Sequence, residues 1–199
     1  IYSGDRPKTA IGSIKRIEEQ TDGKQMSISS YRYSGDRTVL SYEEMNGYCN
    51  RAIKLNPNCK LTLILMQVND IEDYMKNEGS GFVQDLLQSV QDTVRRHVGH
   101  RGIVCPLQPN LMSVVVQDIN SDIKLRAFIE SLRSRIAWNY RLVDPKYEIS
   151  FSFGVACYPE NGMDMRIVHR KLVKALQMAQ EKHTNCYVIY KEHLHGELS

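Results

Sequence analysis

The sequence predicts an α+β sandwich, one mixed β-sheet with helices packed on it. Three observations carry this expectation. The run from Leu61 to Met66 is apolar apart from Thr62 and follows turn residues, as a buried central strand does. Phe82, Leu86, Leu87, Val90, Val94 and Val98 recur at three- and four-residue spacing, the period of an amphipathic helix. From that first buried strand onward the elements read β-α-α-β-β-α-β-α-β, and a single sheet covered by helices is the economical way to bury such faces.

Taken in order, residues 9–17 roughly alternate apolar and polar side chains and read as a strand. The pentapeptide Tyr-Ser-Gly-Asp-Arg stands at residues 2–6 and again at 33–37. Two copies do not make a solenoid, and two similar turns is the simpler reading. Residues 20–38, rich in Ser, Gly, Asp and Lys, read as a linker, so the chain divides into 1–38 and a domain over 39–199. Ser41 can cap a helix that Asn56-Pro57-Asn58 stops near Leu55. After the first strand, Ile71, Tyr74 and Met75 share a helical face up to a break at Gly79-Ser80-Gly81, and the long helix follows. Residues 103–107 and 112–116 form a hairpin around Gln108-Pro109-Asn110, placed centrally in the sheet. A helix over 123–138 turns Leu125, Phe128, Ile129, Leu132 and Ile136 inward, and Trp138 packs at its end. A strand over 147–156, a helix over 165–181 and a strand over 186–190 complete a ferredoxin-like, palm-like architecture.

Composition narrows the function. The 199 residues are 42% apolar and 25% charged with a net charge of +3, ordinary for a globular domain. No basic cluster is dense enough to follow a phosphate backbone, and Arg95-Arg96 and Arg170-Lys171 read as solvated helix faces, so nucleic acid is not an expected partner. The longest apolar run is far too short to span a bilayer, so this segment is expected to be cytoplasmic and to make no direct membrane contact. The chain opens on Ile1, not Met, and any membrane anchor of a parent protein would lie outside it. Cys49, Cys59, Cys105, Cys157 and Cys186 form no C-x-x-C pair, which argues against a zinc site. Cys105, Cys157 and Cys186 read as small buried hydrophobes of a reduced protein.

Four segments carry a family resemblance. Glu43-Glu-Met-Asn-Gly-Tyr-Cys-Asn-Arg51 keeps the Gly, Asn and Arg of a D-x-L-T-G-L-x-N-R opening. Ser150-Phe-Ser-Phe-Gly-Val-Ala-Cys-Tyr-Pro159, with Gly162 after it, looks like an S-x-G-V-A-x-Y-P strand. Lys174-Ala-Leu-Gln-Met-Ala179 and Asn185-Cys-Tyr187 look like a closing helix and strand. Together they resemble the GGDEF family, the diguanylate cyclase domains of bacterial signalling, over residues 43–190. The resemblance implies a nucleotidyl-cyclase palm that joins two GTP molecules into cyclic di-GMP. Paired carboxylates would there hold Mg²⁺ against the triphosphate.

The chain departs from that pattern where the chemistry would be. The resemblance places Gln67 and Asn69 at acidic positions on the first strand, and Gln108-Pro-Asn-Leu-Met112 at the signature turn. An amide oxygen can ligate a cation but brings no negative charge, and Pro109 removes an N–H where the family has glycine. The phosphate-facing lysines correspond to Glu72 and Gln180, and the guanine-reading positions to Met75 and Gln84. Gly99-His-Arg-Gly102 replaces both ends of the R-x-x-D inhibitory product site.

No catalytic residue, metal ligand or cofactor is therefore expected, only a vestigial nucleotide pocket of Gln67, Asn69, Lys76, Asn110 and Lys182. Asp70 and Asp73 fit the N-terminus of a helix better than a displaced metal site. His97 and His100 fit a helix end, solvated or facing its dipole, better than a proton shuttle. Methionines 66, 75, 112, 165 and 178 are mostly in core phase, and His193 and His195 lie in a polar tail without a role. The expected function is a non-catalytic, GGDEF-like regulatory or dimerising domain, partnered by other domains of its signalling protein or by a second copy. A GTP-binding allosteric module controlling a phosphodiesterase-type domain is the alternative, and an active cyclase the remotest reading. Residues 9–20 also resemble the last strand and exit of a PAS sensor domain.

Overall fold

The computed structural model describes residues 41–117, 119, 121–141, 149–182 and 185–196. The strand expected at 9–17, the linker and the PAS-like reading lie outside the described residues.

Helix α1 (Tyr42–Leu55) starts where the sequence supplies a reciprocal cap. Ser41 Oγ accepts from the Glu44 amide, and the Glu44 carboxylate accepts from the Ser41 amide at 2.8 Å. The helix turns Met45 and Cys49 inward. Strand β1 (Leu61–Val68) follows with every residue buried, as an apolar run covered on both faces requires. Helix α2 (Ile71–Val98) is two helices in series. Gly79, at φ 87° and ψ 174°, breaks the helical path at the first glycine of the expected interruption. A 3₁₀ turn leads into β2 (Gly102–Gln108) and β3 (Leu111–Gln117), followed by α3 (Asp122–Arg141), β4 (Phe151–Tyr158), α4 (Met165–Glu181), β5 (Cys186–Ile189) and the short α5 (Glu192–His195). The described part of the strand expected at 147–156 starts at Phe151 and runs two residues further, to Tyr158.

The fold is α+β, a five-stranded mixed sheet of order β2-β3-β1-β4-β5. Strand β1 lies antiparallel to both β3 and β4, and β4–β5 is the parallel pair. The hairpin sits at one edge of the sheet and not centrally as expected. Pro106 on β2 explains the placement, because a residue without N–H is tolerated on an outer strand.

Alternation along the strands separates two faces. Ile64, Met66, Val68, Met112, Val114, Val116, Phe151, Phe153 and Val155 pack beneath Leu86, Val90 and Val94 of α2 and Ile129, Leu132 and Ile136 of α3. The opposite face, with Leu61, Leu63, Leu65 and then Gln67, lies under α4. Gly154 fixes how close α4 comes: a Cβ there would stand 2.4 Å from the Leu176 nitrogen and 2.7 Å from the Leu172 oxygen. Among the described residues no helix is long and apolar enough to cross a membrane.

Candidate functional site

At the end of β1 the face under α4 changes from aliphatic to amide. Gln67 lies in register with Leu111 on one side and Ser152 on the other and is 6% exposed. Its Oε1 accepts from Gln180 Nε2, in the last turn of α4, at 2.6 Å. Two residues on, Asn69 donates from Nδ2 to Ser150 Oγ at 2.9 Å and to Ser152 Oγ at 3.1 Å, and the Ser152 hydroxyl donates back to Asn69 Oδ1 at 3.3 Å. The Asn69 amide donates to the Ser150 carbonyl, so the chain past β1 stays tied to the start of β4. Asn110 closes the third side. Its Nδ2 donates to the Val68 carbonyl at 3.2 Å, and its own carbonyl accepts from the Val68 amide. The hairpin tip is thereby fastened to β1.

Three of the five expected pocket residues, Gln67, Asn69 and Asn110, thus meet around the end of β1. Lys76 lies on the exposed first part of α2 with its ammonium 3.8 Å from Asp73, and Lys182 is exposed at the end of α4. Asp70 is the residue before α2, in left-handed conformation at φ 57° and without a side-chain cap bond. Its exposure and that of Asp73 agree with helix-terminal carboxylates. Glu72 is exposed beside them.

The donor set does not suit a divalent cation. Mg²⁺ held against a polyphosphate needs hard anionic oxygens, whereas Gln67, Asn69, Ser150 and Ser152 are neutral and already bonded to one another. Among the described residues no group of three or more His, Cys, Asp or Glu is placed to hold a metal. Gln180 Oε1 is buried and, among the described residues, without a partner, an acceptor left without a donor.

Residues 42–186, most of the chain, match the family model for the diguanylate cyclase GGDEF domain. The chain belongs to the GGDEF family. The fold of this GGDEF domain is similar to that of the active GGEEF domain of a diguanylate cyclase from Vibrio cholerae, with a TM-score of 0.66 at 13% identity over 78% of this chain and 99% of that one. It is also similar to the DgcB GGDEF domain from Caulobacter crescentus, solved with c-di-GMP (TM-score 0.64, 12% identity, 78% and 97% covered). The FimX GGDEF domain from Pseudomonas aeruginosa is a further match (TM-score 0.61, 12% identity, 78% and 97% covered). A curated relative, an uncharacterized protein of Synechocystis, is 17% identical over 71% of this chain, which spans about a fifth of that relative's length (20%).

The GGDEF domain departs from the sequence expectations at several side chains. Met75 is 40% exposed, while Ile71 and Tyr74 of the same expected face pack against the core. Trp138 is 66% exposed on α3 instead of packed. Cys105 is fully buried, but Cys157 and Cys186 are only partly so, and the Cys186 thiol donates to the Ala179 carbonyl. His97 is buried, its Nε2 3.3 Å from the Phe128 carbonyl of α3, and burial holds its pKa below the ordinary value; His100 is exposed. Lys171 is not solvated. It is 7% exposed and bonded to Glu192. The resemblance brings Gln67 and Gln180 to one site, at an acidic and a phosphate-facing position, but the hydrogen bond between them, 113 residues apart, depends on how α4 packs.

Proposed function

We propose that this GGDEF domain is a non-catalytic regulatory or dimerising module of a bacterial cyclic di-GMP signalling protein, acting in the cytoplasm. The Gln67–Gln180 hydrogen bond carries the reading. The family resemblance puts a metal-binding carboxylate at the first of these positions and a phosphate-facing lysine at the second. Here both are uncharged and turned toward each other, so the groups that would engage metal and phosphate are replaced by a hydrogen-bonded amide pair. Asn69 is likewise held by Ser150 and Ser152. Exposed Glu72, where the resemblance expects a further lysine, places a negative charge that would repel phosphate. A domain of this kind acts through its surface, on neighbouring domains or on a second copy.

Calorimetric titration of the pure protein with GTP and with cyclic di-GMP, each with and without Mg²⁺, tests the proposal. No Mg²⁺-dependent heat with GTP and no product formed is the expected result. Mg²⁺-dependent GTP binding without turnover would replace it with the nucleotide-sensing alternative, and conversion of GTP to cyclic di-GMP would overturn both.

A further inference from the structure

After β5 the chain turns through α5 and is fastened back onto α4. Lys171 Nζ donates to the Glu192 carboxylate at 2.8 Å and stands 5.4 Å from the centre of the Tyr190 ring. Lys174 Nζ donates to the His195 carbonyl at 2.9 Å, and the Tyr190 hydroxyl donates to the Gly196 carbonyl at 2.6 Å. Lys191 pairs with Asp122, at the start of α3, at 3.0 Å. The Leu194 and His195 amides donate to the Lys191 carbonyl and the Gly196 amide to the Glu192 carbonyl. One side-chain bond adds to these, its direction set by chemistry. The backbone N–H of Lys191 can only donate, so His195 Nδ1, 2.9 Å away, must present a lone pair. The imidazole lies 5.6 Å from the Tyr190 ring.

We propose that residues 191–196 are a proton-released strap, latched to α4 while His195 Nδ1 is unprotonated. A proton on Nδ1 sets one N–H against another and removes the bond that holds the Lys191 amide, leaving the turn to its backbone bonds. The surrounding charges oppose that proton too. Lys182, just past α4, Lys174 on α4 and His193 on the strap itself act on the ring by charge. Among the described residues, Glu192 is paired with Lys171 and Asp122 with Lys191. Burial first, and then these cations, keep the His195 pKa below its ordinary value while the strap is closed. An open strap restores the ordinary value. The proton therefore binds the open form more tightly, and acid favours opening. Opening also strips Lys171 of its carboxylate partner, in the same helix that holds Gln180 against Gln67.

Amide exchange of Lys191, followed by NMR on the whole chain from pH 7.5 to 4.5 and corrected for intrinsic chemistry, tests the strap. As pH falls from the ordinary histidine value of the open strap toward the lower value of the closed one, its opening should increase by up to about tenfold per pH unit, the slope of one proton, and then level off. Val188 in β5 should stay protected. Glu192→Gln should keep this dependence, and His195→Phe should abolish it. Flat Lys191 exchange across the range would overturn the proposal, as would a pH dependence that survives in His195→Phe. So would Val188 exchange rising in step with Lys191, which would mean that the whole sheet opens.

Discussion

Under α2 and α3 the strands present Ile64, Met66, Val68, Val114, Phe153 and Val155, an aliphatic and aromatic layer. On the other face the same strands present Leu61, Leu63 and Leu65 and then Gln67, Ser113 and Ser152, with His169 and Lys171 buried on α4. The two faces share a backbone and differ in what they can tolerate. The first is held by non-directional burial, which absorbs conservative changes. The second depends on close backbone approach and on polar groups that must find partners or stay neutral. In this family fold the chemistry-bearing end of β1 belongs to the second face, where a few substitutions change its character.

The largest effect should come from the contact that sets the distance of α4. Gly154→Val would drive a side chain into the backbone of Leu172 and Leu176, which cannot swing aside as a side chain could. A loss of about 4 kcal/mol or more is expected in urea unfolding, beyond ordinary overpacking. A loss under about 1 kcal/mol would show that α4 is loosely seated and that the contrast between faces is wrong.

Next in size is an acid sensitivity confined to the same face. His169 is 4% exposed, its Nε2 has no hydrogen-bond partner among the described residues, and its ring meets Tyr42 edge-on. Burial pushes its pKa down to about 4 from the ordinary 6.5. The folded protein thus holds it neutral while the unfolded chain binds a proton near pH 6.5. Its share of stability is complete above that pH and is lost as pH falls toward 4, up to roughly 3 kcal/mol. His169→Leu should flatten the stability profile across that window. An unchanged slope would assign the acid sensitivity to another group.

A third test addresses the amide pair. Gln67→Asp alone places a carboxylate at a nearly closed position and should cost about 2 kcal/mol, and Gln180→Lys alone a comparable amount. In the double variant the two charges face each other across the present hydrogen bond, so the costs should fall short of additive by about 1–2 kcal/mol. Additivity in the thermal unfolding cycle would mean that the two side chains do not touch.

Much of this was legible in the sequence, for reasons that differ by residue. The inward positions of α2 and α3 follow helical spacing, and Leu125, Phe128, Ile129, Leu132 and Ile136 are all buried. In β1 both faces are covered, so the run marks a strand but does not say which residues share a side with Gln67. The amides at 67 and 69 stood out because an acidic pattern was expected there. Gln180 stood out as well, at a phosphate-facing lysine position. Its bond to Gln67 and those of Ser150 and Ser152 to Asn69 did not, since they depend on the packing of α4 and β4. Lys171 and His195 were misjudged for the same reason. A charged helix position and a polar tail look solvated until the tail, as α5, folds back onto α4.

The smallest effect separates the two parts of α2, one exposed beside the site and one packed on the apolar face. At Gly81 a Cβ would meet nothing within 4 Å, and the residue lies in helix. Gly81→Ala should stabilise by about 0.5–1 kcal/mol, because alanine has less backbone freedom to lose on folding. Gly79 also has open space around it, yet its φ of 87° is one that L-residues rarely adopt. Gly79→Ala should therefore destabilise by about 1 kcal/mol. Opposite signs two residues apart would show that the break between the two parts is fixed by backbone conformation, not by crowding. If both substitutions stabilise, α2 is a continuous helix in solution, and its exposed first part would be drawn into line with the packed one.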